Sequence, residues 1–79
     1  MILNIKDTNI AINFNSMIYI NRPSVLVMNR KTYHDIFLPK PYCEEKWNEH
    51  GVSYDAYKGV PIAICEKYNF GEVDLIWLK

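Results

Sequence analysis

Four consecutive apolar residues, Val25-Leu26-Val27-Met28, lie between Pro23 and Asn29. An apolar run this short, bounded by chain breakers, reads as a strand covered on both faces. Pro23 cannot donate to a ladder, so the strand starts after it. The side-chain oxygen of Asn29 suits an N-cap, where it accepts from first-turn amides. Beyond it Tyr33, Ile36 and Phe37 recur at helical spacing over residues 30–38, and Pro39 stops the run. Strand, cap and helix in direct succession require a layered α/β arrangement. A chain of 79 residues has room for one such core, so residues 1–79 read as one domain.

The flanking segments are assigned against that centre. From residue 10 to 20 the even positions read Ile, Ile, Phe, Ser, Ile, Ile, and the odd ones Ala, Asn, Asn, Met, Tyr. That period of two predicts extended structure with one buried face. Met1, Leu3 and Ile5 alternate likewise, and Asp7-Thr8-Asn9 supplies turn formers, so residues 1–6 and 10–20 read as an antiparallel hairpin. Residues 41–50 read as a second short helix. Pro41 is tolerated in its first turn, Glu44 and Glu45 lie near its positive end, and Gly51 closes it, with Cys43 and Trp47 on its inner face. Val52, Tyr54 and Ala56 then alternate with Ser53, Asp55 and Tyr57, and Lys58-Gly59 reads as a turn or a bulge. Val60 to Cys65 is a second apolar strand, expected to be central and largely buried at Val60, Ile62, Ile64 and Cys65. Residues 67–72 read as a hairpin loop and residues 73–78 as the last strand. The expected fold is α+β: a mainly antiparallel sheet of about five strands, with one or two short helices inserted after the third.

Lysine plus arginine number 9 and aspartate plus glutamate 9, a net charge of zero. A dedicated nucleic-acid binder usually carries a basic excess, so the balance argues against that class. The charge is uneven: residues 1–42 carry +3 and residues 43–79 carry −3. Such an asymmetry can orient a charged partner. No apolar run approaches the ~18 residues of a membrane span, and Asn4 and Lys6 interrupt the start too early for a signal-peptide core. These features predict a cytoplasmic protein in which Cys43 and Cys65 stay thiols.

No cofactor motif emerges, and the reactive residue types are poorly spaced for chemistry. Cys43, Cys65, His34 and His50 lack the close Cys–Cys or His–His pairs of structural zinc sites, so no metal is expected. Cys43 near a helix start could have a lowered thiol pKa, but Glu44 and Glu45 oppose thiolate formation. Glu44/Glu45 and Glu72/Asp74 look like solubilising charges, and the glycines at 51, 59 and 71 are too scattered for a phosphate loop. Arg22, Arg30, Lys31 and Lys40, with Tyr33 and His34, mix cations and aromatics in a way that can grip a backbone and stack bases. The most unusual feature is the aromatic surplus, 14% of the chain, including Tyr19, Tyr42, Tyr54, Tyr57, Tyr68, Trp47 and Trp77. Tyrosine, tryptophan and arginine are enriched at interface hot spots. No catalytic residue is assigned. Arg30, Lys31, Tyr33 and Tyr57, each near an element edge, are the expected binding residues.

Val27-Met28-Asn29-Arg30-Lys31-Thr32-Tyr33 resembles the strand, turn and helix start of the major capsid proteins of tailed phages and encapsulin-like shells. Gly59-Val60-Pro61-Ile62 resembles a Gly-x-Pro-Val strand later in the same family. The resemblance implies a phage or mobile-element origin and a similar local βα…ββ arrangement. A chain of 79 residues cannot hold the family's long spine helix, extended loop or peripheral domain, and no functional residues carry over.

The resulting expectation is a small, non-enzymatic, phage-like protein-binding module without a cofactor. Its partner would be a host or phage protein, as for anti-CRISPR-type inhibitors of host defence. The rival readings are a virion or assembly accessory, an oligomer that sequesters a small nucleotide, and an enzyme using Cys43 or His34.

Overall fold

A computed structural model describes residues 1–78. Six strands form one sheet: β1 (Ile2–Asn4), β2 (Val25–Met28), β3 (Cys43–Trp47), β4 (Ser53–Tyr57), β5 (Val60–Ile64) and β6 (Glu72–Ile76). Their order is β1-β6-β2-β5-β4-β3. Only β2 and β5 run parallel, Leu26 opposite Ile62; the other pairings are antiparallel. Helix α1 (Thr8–Ile20) follows β1, and α2 (Arg30–Thr32) follows β2, continuing as a π-helical turn over Tyr33–Phe37. The fold is therefore α+β with a mainly antiparallel sheet, as the sequence predicts. The strands number six rather than about five, and the helices follow the first and second strands rather than the third.

Two segments exchange the types expected of them. Residues 10–20 belong to a helix, not to a hairpin strand. The Asp7 side chain caps it, accepting from the amides of Asn9 and Ile10 at 3.0 and 3.3 Å. Phe14 and Ile18 are buried, and Ile10, Ala11 and Met17 are half-buried beside them. These positions fit a helical stripe, and 10, 14 and 18 also satisfy a period of two. The burial tells the two apart: a strand would face Ile12 and Ile20 the same way as Phe14 and Ile18, yet these are 61% and 86% exposed, as helical spacing requires.

Residues 43–47 form strand β3 instead of a helix, each paired with a residue of β4 from Tyr57 back to Ser53. Asn48 decides this locally. Its side-chain oxygen accepts from the amides of His50 and Val52 at 2.8 and 3.0 Å, and Gly51 adopts φ +76°, which turns the chain back on itself. Gly51 thus serves a hairpin rather than a helix end. The Glu-Glu-Lys of this edge strand discourages further strand pairing.

The core lies between the helices and one face of the sheet. Phe14, Ile18 and Phe37 meet Leu26, Met28, Tyr57, Val60, Val73 and Leu75, all nearly inaccessible. The rings of Phe14, Phe37 and Tyr57 pack together with centroids 5.0–6.1 Å apart. Strand β5 is central, but burial falls along it from Val60 (fully buried) through Ile62 (half-buried) to Ile64, 39% exposed. The reason is register: β4 pairs only with Val60 and Pro61, so the far end of β5 has no neighbour on that side. Cys65 is half-buried beyond the strand. The loop after it is not a hairpin, since β2 lies between β5 and β6. No helix among the described residues is long and apolar enough to cross a membrane.

Candidate functional site

The four residues expected to bind do not converge. Arg30 and Lys31 are exposed at the start of α2, beside a shallow depression completed by His34, Asp35 and Glu66. Its lysine and histidine are paired: Lys31 Nζ is 2.6 Å from Asp35 Oδ2 and His34 Nδ1 is 3.0 Å from Asp35 Oδ1. The Arg30 backbone amide donates to Glu66 at 3.0 Å, while the Arg30 guanidinium forms no ion pair among the described residues. The bonds from Lys31 and His34 hold the Asp35 carboxyl below its usual range. Tyr33 is half-buried against the core, and its hydroxyl is pushed up to about 12 by burial, then by Asp55 and Cys43. Tyr57 is a core residue, 3% exposed, because its β4 position points under Phe14 and Phe37. Its ring is closed to a partner, so the binding role expected of it is withdrawn.

The reactive side chains stand apart. Burial, then Asp55, pushes the Cys43 thiol up, away from the thiolate a nucleophile needs. His34 and His50 are exposed, each beside a carboxylate next to it in sequence. Among the described residues no group of three potential metal ligands gathers.

A more concentrated feature lies elsewhere. Ile18 and Tyr19 at the end of α1, Arg22 just beyond it, Tyr42 before β3 and Lys58 at the β4–β5 turn line a cleft of about 530 Å³. Tyr19 is 83% exposed and Tyr42 58%. The lining carries two cations and no acid, and among the described residues neither Arg22 nor Lys58 forms an ion pair. Arg22 is held by one bond, Nη2 to the Lys58 carbonyl at 2.9 Å. The Lys58 ammonium lies 4.8 Å from the Tyr42 ring centre, 5.4 Å from that of Tyr19 and 5.8 Å from that of Tyr57.

Backbone geometry fixes this arrangement. Lys58 and Gly59 both have positive φ, +52° and +83°, linking the paired residues Tyr57 and Val60 in a two-residue turn. Such primed turns favour asparagine at the first position and glycine at the second. Lysine there costs roughly 1–2 kcal/mol in left-handed backbone, so its presence calls for a reason beyond the turn. Glycine at 59 is favoured by its φ; a Cβ there would stand 2.4 Å from Arg22 Nη2, the movable end of a flexible side chain, so the backbone conformation is the stronger constraint. The Lys58 amide also donates to the Tyr42 carbonyl at 2.9 Å, locking Tyr42 to the turn.

Sequence reasoning placed Arg22 in a cationic cluster with Arg30 and Lys31, and Tyr19 and Tyr42 in the aromatic surplus, without joining them. The only local signal was lysine in a Lys-Gly turn. No protein-family model, curated protein or solved structure matches the chain. The capsid-like resemblance therefore rests on its two short motifs, which fall on β2 with the start of α2 and on the turn leading into β5.

Proposed function

We propose that this chain is a non-enzymatic module that binds another protein through the face built by Tyr19, Arg22, Tyr42 and Lys58. The observation that carries the reading is the gathering of exposed aromatic and unpaired cationic side chains from three distant segments around one cleft. Aromatic and arginine anchors of this kind usually supply most of an interface's energy. The raised Cys43 thiol and the dispersed histidines favour binding over nucleophilic chemistry. The capsid-like motifs support a finer reading, a phage-derived inhibitor of a host defence system acting in the bacterial cytoplasm.

The test is capture of a stoichiometric protein partner by the tagged chain, repeated with folded variants checked by circular dichroism. Tyr19→Ala and Tyr42→Ala should each abolish capture, whereas Cys43→Ala, His34→Ala and His50→Ala should retain it. The opposite pattern would reject the binding-module reading and direct the search to catalysis.

A further inference from the structure

The cleft also states what kind of group it receives. Resting on the binding-module reading, we infer that the cleft takes an acidic side chain of the protein partner, its carboxylate seated between Arg22 and Lys58. Both cations face the same space, and among the described residues no acid lines it. One Nη2 of Arg22 is used by the Lys58 carbonyl, which aims the guanidinium while leaving its other donors for an oxyanion. The three tyrosine rings beside Lys58 hold the ammonium at the cleft wall rather than free in solvent.

Two further features narrow the choice. The C-terminal end of α1 borders the cleft, and its partial negative charge opposes a doubly charged phosphate more than a single carboxylate. The exposed rims, Tyr19 and Tyr42, offer flat aromatic area next to the charged seat. An acidic residue flanked by an apolar or aromatic one complements that pattern, whereas two cations at the cleft on a chain of zero net charge offer little to a nucleic-acid backbone.

The lysine at position 58 becomes intelligible on this reading. Asparagine would suit the turn better, so replacing Lys58 separates binding from folding. Lys58→Asn should keep or raise the denaturation midpoint, because asparagine tolerates left-handed backbone. It should also weaken partner binding at least tenfold, as should Arg22→Gln. Binding by the unaltered protein should weaken steadily with added salt. The direct experiment is zero-length carbodiimide coupling of the captured complex, followed by peptide mass spectrometry. An amide between Lys58 Nζ and an aspartate or glutamate of the partner is the expected product. If capture depends on Tyr19 and Tyr42 but Lys58 does not couple and both variants bind normally, the acidic-anchor inference falls while the binding-module reading stands. If Lys58→Asn unfolds the protein, the tyrosine-ringed lysine is structural and the inference falls. Capture abolished by nuclease, or no captured protein at all, ends both.

Discussion

The hydroxyl of Tyr57 donates to the side-chain oxygen of Asn15 at 2.9 Å, joining the middle of α1 to the end of β4 across 42 residues of sequence. It is a polar link set into an apolar layer, since the Tyr57 ring stacks 6.1 Å from Phe14 and meets Phe37 edge-on at 5.0 Å. Burial, first of all, pushes this hydroxyl up from its ordinary value. Tyr57→Phe keeps the ring and strands the Asn15 oxygen, so it should cost about 1 kcal/mol. Tyr57→Ala should cost about 3–5 kcal/mol through the cavity it opens. Urea denaturation measures both, and equal losses from the two variants would show that the bond, not the packing, holds the helix down.

Thr32 is the fully buried polar residue of the core layer, and its hydroxyl accepts from the Gly71 amide at 2.9 Å. Gly71, at φ +90°, completes the turn from Asn69 into β6, so this bond fastens the last strand to α2. Thr32→Val preserves shape and leaves a buried N–H without a partner, which should cost about 1–3 kcal/mol. Thr32→Ser should restore the bond but lose the methyl contacts. Hydrogen exchange at Gly71 is the measurement: its amide should be protected in the native protein and in the serine variant, and exposed to exchange in the valine variant.

Tyr68 donates to Asp74 at 2.6 Å, and the bond acts on both partners. It is the chief cause holding the Asp74 carboxyl low, aided by the amino group of Met1 3.0 Å away and opposed by burial. Asp74 in the folded chain therefore gives up its proton at lower pH than in the unfolded chain. Its contribution is full above the ordinary carboxylate pKa of about 4, and is lost as pH falls through the lowered folded value. Tyr68 behaves oppositely, its hydroxyl pushed up to about 12, first by the Asp74 bond. Its contribution is full below the ordinary tyrosine value of about 10, and is lost as pH rises through the folded one. Tyr68→Phe should flatten both limbs of the denaturation midpoint plotted against pH. An unchanged profile would mean that the pair is already broken in solution.

Cys43 lies under the sheet edge with Tyr33 and Asp55 beside it, and its thiol is pushed up by burial and by the Asp55 charge. Alkylation by iodoacetamide near neutral pH should run slower at Cys43 than in a short peptide of the same local sequence. Denaturant should bring the two rates together. Faster reaction in the folded state would reveal an activated thiol and reopen the case for nucleophilic catalysis.

How much was legible can be seen at particular residues. Val25–Met28 and the Asn29 cap are readable because each depends on groups within a few positions in sequence, and at Lys58-Gly59 the same locality narrows the choice to a turn or a bulge. The Asn29 oxygen does accept from the Thr32 amide, at 2.7 Å. Residues 10–20 were misread because isoleucine and asparagine have weak helix propensity and because spacing by fours satisfies two periodicities at once. Residues 43–47 were misread because a proline, two glutamates and a glycine imitate helix punctuation, while the decisive Asn48 side chain works through a hairpin that exists only once β4 has paired. The candidate cleft was legible only in fragments, since Tyr19, Arg22, Tyr42 and Lys58 have no spacing that announces their meeting.

The sequence by itself determined the α+β class, the apolar strand Val25–Met28 with its Asn29 cap, and a break in the chain at Lys58-Gly59, a turn or a bulge. Those follow from hydrophobic pattern and backbone sterics, which act over short distances along the chain. Tertiary structure decided that α1 is a helix, that β6 inserts between β1 and β2, that Tyr57 is sealed in the core and that two unpaired cations face one cleft. Each of these is fixed by which surfaces must be removed from water together, a condition set by the whole packed layer and by no local stretch of residues.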